Sequence, residues 1–251
     1  MKTQEKIQSP NGLLSAILEV PDGVGKCPLV VLMHGFMSSK KLEPLKSIAA
    51  LLVSNGIAAL RFDFDGHGRS EGRFQDMNVL RELEDAEAVY QAARKYPFVT
   101  DIAFLGHSQG GVVAGMLAGR TGFPAVKALV QLAPAAVLRD DALSGVLMGK
   151  HYNPANPPEK LRVFFHTVGK SYFTVAQTLP IYEESALYQG PVLLVHGKED
   201  KIVPYSYSEK YHEVYPDSTL QLLEGENHIL SKRRKEVIEL SVQFLISKLK
   251  P

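Results

Sequence analysis

Residues 101–119 read DIAFLGHSQGGVVAGMLAG, and this stretch decides the fold. Residues 101–105 make a short strand-like apolar run, and residues 111–119 are small and apolar, as a closely packed helix requires. Between them stands Gly106-His107-Ser108-Gln109-Gly110, a G-x-S-x-G pattern. Five residues alone match by chance often enough; the strand before and the helix after make the match specific. A sharp strand-to-helix turn strains the serine backbone, and bulky side chains two residues to either side would clash, so both positions are glycine. The turn lifts the hydroxyl to the carboxyl edge of the sheet, where open α/β sheets bind ligands. It also sets the positive start of a helix under a developing oxyanion. Ser108 is therefore the expected nucleophile.

Outward from this turn, strand and helix alternate. Strands are expected at residues 13–20, 28–34, 57–62, 101–105, 126–132, 191–196 and 219–223. Helices are expected at 42–54, 76–96, 108–119, 205–214 and 232–248. Apolar strands separated by helices need crossover connections, which give a mostly parallel central sheet covered on both faces. One stretch breaks the rhythm. Residues 136–187 show no clear strand, are punctuated by Pro154, Pro157 and Pro158, and are rich in Tyr and Phe. A long segment of this kind inside a compact domain is usually functional. It reads as a lid inserted into a core made of residues 1–135 and 188–251; the alternative is a plain helical elaboration.

A serine hydroxyl needs a base. Of eight histidines, His151, His166, His196, His212 and His228 follow Ser108. His228 lies in EGENH, on a loop after the strand at 219–223, and so on the same sheet edge as Ser108. His196 ends a strand and reads as a packed, hydrogen-bonded histidine, His212 is mid-helix, and the other two lie in the lid. The acid should follow the strand at 191–196, where HGKED offers Asp200, with Glu199 as its rival. Asp217 reads as a turn residue, and Glu226 is a weaker substitute. A carboxylate at Asp200 would fix the imidazole tautomer and stabilise the imidazolium. The oxyanion donors are expected from the backbone N–H groups of Gln109 and Phe36, with Gly35 permitting close approach. His34 and His67 are read as structural.

The bulk numbers limit the partners. The 251 residues are 45% hydrophobic and 22% charged, with a formal net charge of +1. Nothing here favours nucleic acid, and the run Lys232 to Lys235 reads as a solvated helix face. The single cysteine, Cys27, cannot close an internal disulfide, no apolar run would span a bilayer, and the N-terminus lacks a signal-like core. The expectation is a cytoplasmic chain without membrane contact. The histidines lack ligand-like spacing, so neither metal nor cofactor is expected. A small-molecule ester is the expected partner, with a homodimer among the assemblies left open.

Taken together, HGF at 34–36, DFDGHGRSEG at 63–72, GHSQGG at 106–111, HGKED at 196–200 and the late His228 resemble the α/β-hydrolase superfamily over nearly the whole chain. APAAVLRDDAL at 133–143, YNPANPP at 152–158 and VAQTLPIYE at 175–183 resemble the bacterial cinnamoyl (feruloyl) esterases, which cleave hydroxycinnamate esters under a compact lid. The resemblance implies Ser108, Asp200 and His228 as triad and Phe36 and Gln109 as oxyanion donors. It implies that Asp141 accepts a hydrogen bond from a phenolic hydroxyl, where the residue's own reading is equally a helix cap. Tyr172 is implied in the same pocket, or as lid packing. Where that family often has cysteine and an aromatic after the histidine, Ile229 and Leu230 stand here, which implies a more aliphatic pocket. A broad carboxylesterase or monoacylglycerol-type lipase shares the same residues. A peptidase usually carries a large propeller domain that this chain lacks, and a non-catalytic binding module would not need the full Ser/Asp/His set. Serine at 108 excludes a dehalogenase, which needs aspartate there, and a dienelactone hydrolase, which needs cysteine.

Overall fold

The computed structural model describes residues 1–250. Its strands and helices run β1 (Lys2–Ser9), β2 (Gly12–Glu19), β3 (Cys27–Met33), α1 (Leu45–Ser54), β4 (Ala58–Phe62), α2 (Val79–Ala93), β5 (Val99–His107), α3 (Gln109–Thr121) and β6 (Leu129–Leu132). Then come α4 (Val137–Ser144), β7 (Val146–Leu147), β8 (Lys150–His151), β9 (Lys160–Val163), β10 (His166–Gly169), α5 (Lys170–Ala176) and α6 (Ile181–Ser185). The chain closes with β11 (Val192–Gly197), α7 (Ser206–Val214), β12 (Ser218–Leu223) and α8 (Arg234–Leu249).

Eight strands form one sheet in the order β1-β2-β4-β3-β5-β6-β11-β12. From β4 to β12 every pairing is parallel; β2 is antiparallel to β4, and β1 to β2. Alternate residues of the inner strands enter two cores. Val31, Phe104 and Leu194 face α2 and α3, while Leu32, Leu105 and Val195 face α1 and α8. That alternation is why the inner strands read as continuous apolar runs.

Two parts of the chain escaped the sequence reading. β1 is an edge strand that buries only Ile7 and Ser9, so it has no apolar period to detect. Residues 136–187, read as strandless, hold the short antiparallel pairs β7·β8 and β9·β10, whose two to four residues are too few to set a pattern. A small core of Leu147, Val163, Val168, Tyr172 and Phe173 joins this segment to Met77, with Phe36 and Met37 packed against it. The last part, α6, lies tight on α3: a Cβ at Gly119 would stand 1.9 Å from the Glu184 carbonyl oxygen. No helix among the described residues is long and apolar enough to cross a membrane.

Candidate active site

Ser108 sits between β5 and α3 with φ 57° and ψ −124°, a conformation that L-residues avoid. The glycines around it are dictated by contact. A Cβ on Gly106 would fall 2.1 Å from the Gly110 carbonyl oxygen, and one on Gly110 would fall 2.3 Å from that of His34. The strained turn is held by its flanks: Ser108 N–H donates to Leu132 O at 2.9 Å, and Ser108 O accepts from Gly111 N–H at 2.9 Å.

The carboxyl ends of the parallel strands bring three distant residues together. Ser108 Oγ lies 2.9 Å from His228 Nε2, and His228 Nδ1 lies 2.6 Å from Asp200 Oδ2. With Asp200 ionised, Nδ1 carries the proton and Nε2 is free to accept from the serine. All three side chains are buried. Asp200 is saturated: Oδ1 accepts the N–H groups of Ile202 and Val203, both at 2.8 Å, and Oδ2 also accepts from His196 Nε2 at 3.1 Å. Burial opposes its charge, but the hydrogen bonds from His196 and His228 outweigh it and hold the carboxyl well below the usual range.

The rivals are placed elsewhere. Glu199 is exposed near Lys232, 3.7 Å away. Glu226 is buried and accepts N–H bonds from Asn227, Lys232 and Arg233, which shapes the lead-in to α8. His212 is exposed and meets Ser218 Oγ at 2.8 Å, His151 is exposed, and His166 packs tilted against Phe74, ring centroids 4.3 Å apart.

Two histidines brace this group. The Val203 carbonyl can only accept, so His196 Nε2 carries the proton that it shares between Val203 O at 2.9 Å and Asp200. By the same reasoning His107 Nε2 donates to the His228 carbonyl at 2.9 Å. Burial lowers the His107 pKa to about 4, so it stays neutral beside the His228 ring.

The Gln109 N–H opens α3 and so has no intrahelical acceptor. The Gly35–Phe36 peptide is set by His34. Phe64 N–H donates to His34 Nε2 at 3.1 Å, which leaves Nδ1–H to donate to Gly35 O at 2.9 Å. Because a trans peptide is planar, anchoring that carbonyl turns the Phe36 N–H to the opposite side. A Cβ on Gly35 would sit 2.8 Å from Ser108 Cβ, so only glycine lets this loop come so near the serine. The loop at 63–72 is architectural. Asp63 makes a buried ion pair with Lys40 and accepts Arg69 N–H at 2.9 Å, which ties the loops after β3 and β4 together.

One buried carboxylate gave no motif. Glu82 Oε2 accepts from Gln109 Nε2 at 2.8 Å, while Gln109 Oε1 accepts from the Tyr172 hydroxyl at 3.0 Å. The Gln109 side chain, next to Ser108, is thus clamped between α2 and α5. Burial raises the Glu82 pKa to about 8, against the Gln109 hydrogen bond and with help from Asp85 and Asp65. The sequence did carry a signal, since Glu82 lies on the same helix face as Val79, Leu83 and Ala86. Between the ordinary value of 4.5 and about 8, the folded chain holds a proton that the unfolded chain has lost. Stability from this group therefore falls as pH rises through that window. Glu82→Gln mimics the protonated form, so its stability relative to wild type should grow from pH 5 to pH 8. The limiting slope is about 1.4 kcal/mol per pH unit. Urea unfolding at several pH values checks this; a difference independent of pH would mean that Glu82 is ionised in the fold.

A cavity of about 260 Å³ opens on Ser108 and Gln109, walled by the aromatics Phe36, Tyr152, Tyr172 and Phe173 and by aliphatics that include Val137, Leu138, Val146 and Leu147. Asp141 lines it from within α4 and does not cap that helix, whose N-cap is Ala136. Burial, then the charge of Asp140, raises its pKa. Among the described residues its carboxylate has no hydrogen-bond or ion-pair partner. Tyr172 also lines the cavity, with its hydroxyl engaged by Gln109. Leu230 is buried in the core near α8, and Ile229 lies outside this cavity, so neither of these two residues lines it. Among the described residues no three His, Cys, Asp or Glu side chains are grouped to hold a metal ion.

The profile of the family described as serine aminopeptidase, S33, matches residues 26–157, just over half of the chain. In solved structures the fold superposes on Est1E from Butyrivibrio proteoclasticus, determined with ferulic acid bound, with a TM-score of 0.93 and 33% identity. That match covers 97% of this chain and 98% of Est1E. Among curated sequences, human ABHD12B is 27% identical over 190 residues, which cover 74% of this chain and 49% of that protein. The matched part therefore spans about half the length of that relative. The putative esterase YitV of Bacillus subtilis is 29% identical over 199 residues, 74% of this chain and 73% of YitV.

Proposed function

We propose that this chain, which belongs to the α/β-hydrolase family described as serine aminopeptidase, S33, is a serine carboxylic-ester hydrolase acting on hydroxycinnamate or related aryl esters. The observation that carries the substrate class is Asp141: a partly buried carboxylate without a partner, in a cavity of mixed aromatic and aliphatic walls that opens on Ser108. A phenolic hydroxyl at the far end of a cinnamoyl group would supply the missing donor. The similarity to Est1E, solved with ferulic acid, supports the same reading.

In this reading His228 Nε2 takes the Ser108 proton as Oγ attacks the ester carbonyl carbon. The N–H groups of Phe36 and Gln109 hold the resulting oxyanion. On collapse the carbon–alcohol bond breaks and His228 returns the proton to the departing oxygen. Water, activated by the same imidazole, then frees the acid from the acyl-enzyme. Asp200 keeps the imidazole in the productive tautomer. Residues 136–187 serve as the lid, with α4 and α5 over the acyl cavity.

Asp141→Ala should lower kcat/KM for methyl ferulate relative to methyl cinnamate, which lacks the ring hydroxyl. One lost hydrogen bond sets the scale at about tenfold to a hundredfold. An unchanged ratio would remove the basis for the phenolic assignment. The same panel should include butyrate esters and an aminoacyl anilide. A preference for butyrates would favour a broad short-chain carboxylesterase, and a preference for the anilide would favour a peptidase.

A further inference from the structure

A second cavity, of about 270 Å³, shares Phe36, Ser108, Met148 and Ile202 with the acyl cavity but extends past His228 and His107 instead of Gln109 and Asp141. Its outer walls are Met37, Leu42 and Ile229. We propose that this cavity receives the alcohol half of the substrate and that this half is an uncharged aliphatic chain. The inference rests on the acyl-enzyme reading above.

The two cavities can be told apart by the base. His228 must hand its proton to the departing alcohol oxygen, so the alcohol lies on the side that His228 lines. The acyl group takes the side of Gln109 and Asp141. The chemistry of the walls then sets the class of alcohol. Leu42 is 52% exposed, Ile202 45% and Ile229 57%, and all three gather at this one opening. Single exposed aliphatics are ordinary, but three lining one cavity that reaches Ser108 are not scattered singly over the surface. No lysine or arginine lines the cavity among the described residues. Its one carboxylate, Glu43, accepts Ser47 N–H at 3.2 Å. An acidic alcohol such as quinic acid would find no cation here, and a sugar would find, beyond Ser108 and the two histidines, only Ser38 and Glu43 among mainly apolar walls. An alkyl chain loses only water.

The test is kcat/KM for methyl, propyl, butyl and hexyl ferulate, for feruloylquinate, and for the matching alkyl acetates. Each of the first few methylenes should raise kcat/KM about threefold in both alkyl series, and feruloylquinate should fall below methyl ferulate. Ile229→Ser, at a position 57% exposed, should cut the hexyl-to-methyl ratio about fivefold or more. A flat or falling chain-length dependence in both alkyl series, or feruloylquinate cleaved faster than butyl ferulate, would overturn the inference and leave the esterase reading standing. A chain-length rise seen only with acetates would still support the alcohol assignment while counting against the feruloyl one. Hydrolysis of no ester at all would overturn both readings.

Discussion

Ser108→Ala should lower kcat for ester hydrolysis by about 10⁶-fold while leaving the melting temperature close to wild type. The expected loss is large because, in the proposed reaction, the hydroxyl supplies the bond-forming atom. The cost to the fold is small because its side-chain hydrogen bond goes only to His228, and the turn is held by backbone bonds to Leu132, Gly111 and Ala135. What remains over the uncatalysed rate would come from the oxyanion donors and binding, roughly 10³-fold. Steady-state kinetics and thermal unfolding on the same preparation check both halves. A variant that keeps a tenth of wild-type kcat would place the nucleophile elsewhere.

Asp200→Asn should cost about 10⁴-fold in kcat, and Glu199→Gln little. The hydrogen bonds explain why an isosteric change is so damaging. Oδ1 faces the N–H groups of Ile202 and Val203, which cannot become acceptors. The amide of asparagine must therefore present its oxygen to them and its NH₂ to His228 Nδ1. The imidazole then adopts the tautomer with its proton on Nε2, where it can no longer accept from Ser108. His196 adds to the misfit, because its Nε2–H also points at the altered atom. Comparison of the two variants by kcat checks the assignment, and the opposite ranking would move the acid to Glu199.

The parts of this molecule that could be read from the sequence share a physical cause. Inner strands such as β3, β5 and β11 are buried on both faces, so their apolar runs stand out. The turn at Ser108 tolerates only glycine at Gly106 and Gly110, so its motif is rigid. His228 and Asp200 could be picked out because chain order and strand ends restrict where such groups converge. Features set by tertiary contact were not legible. β1 is defined by pairing with β2 and exposes most of its length. The role of His196 depends on Asp200 four residues away folding back to it. The clamp of Gln109 between Glu82 and Tyr172 joins residues 27 and 63 positions from Gln109 along the chain. Ile229 shows the converse error. Its identity was plain, but which cavity it faces follows from the backbone between β12 and α8.

We propose that Ser108 is the nucleophile, activated by His228 and Asp200. A serine-reactive fluorophosphonate, followed by proteolysis and mass spectrometry, tests it most directly. One phosphonylated peptide is expected, carrying Ser108, lost in Ser108→Ala and formed far more slowly in Asp200→Asn. Labelling of another residue, or hydrolysis of methyl ferulate by wild-type protein whose Ser108 stays unlabelled, would contradict it.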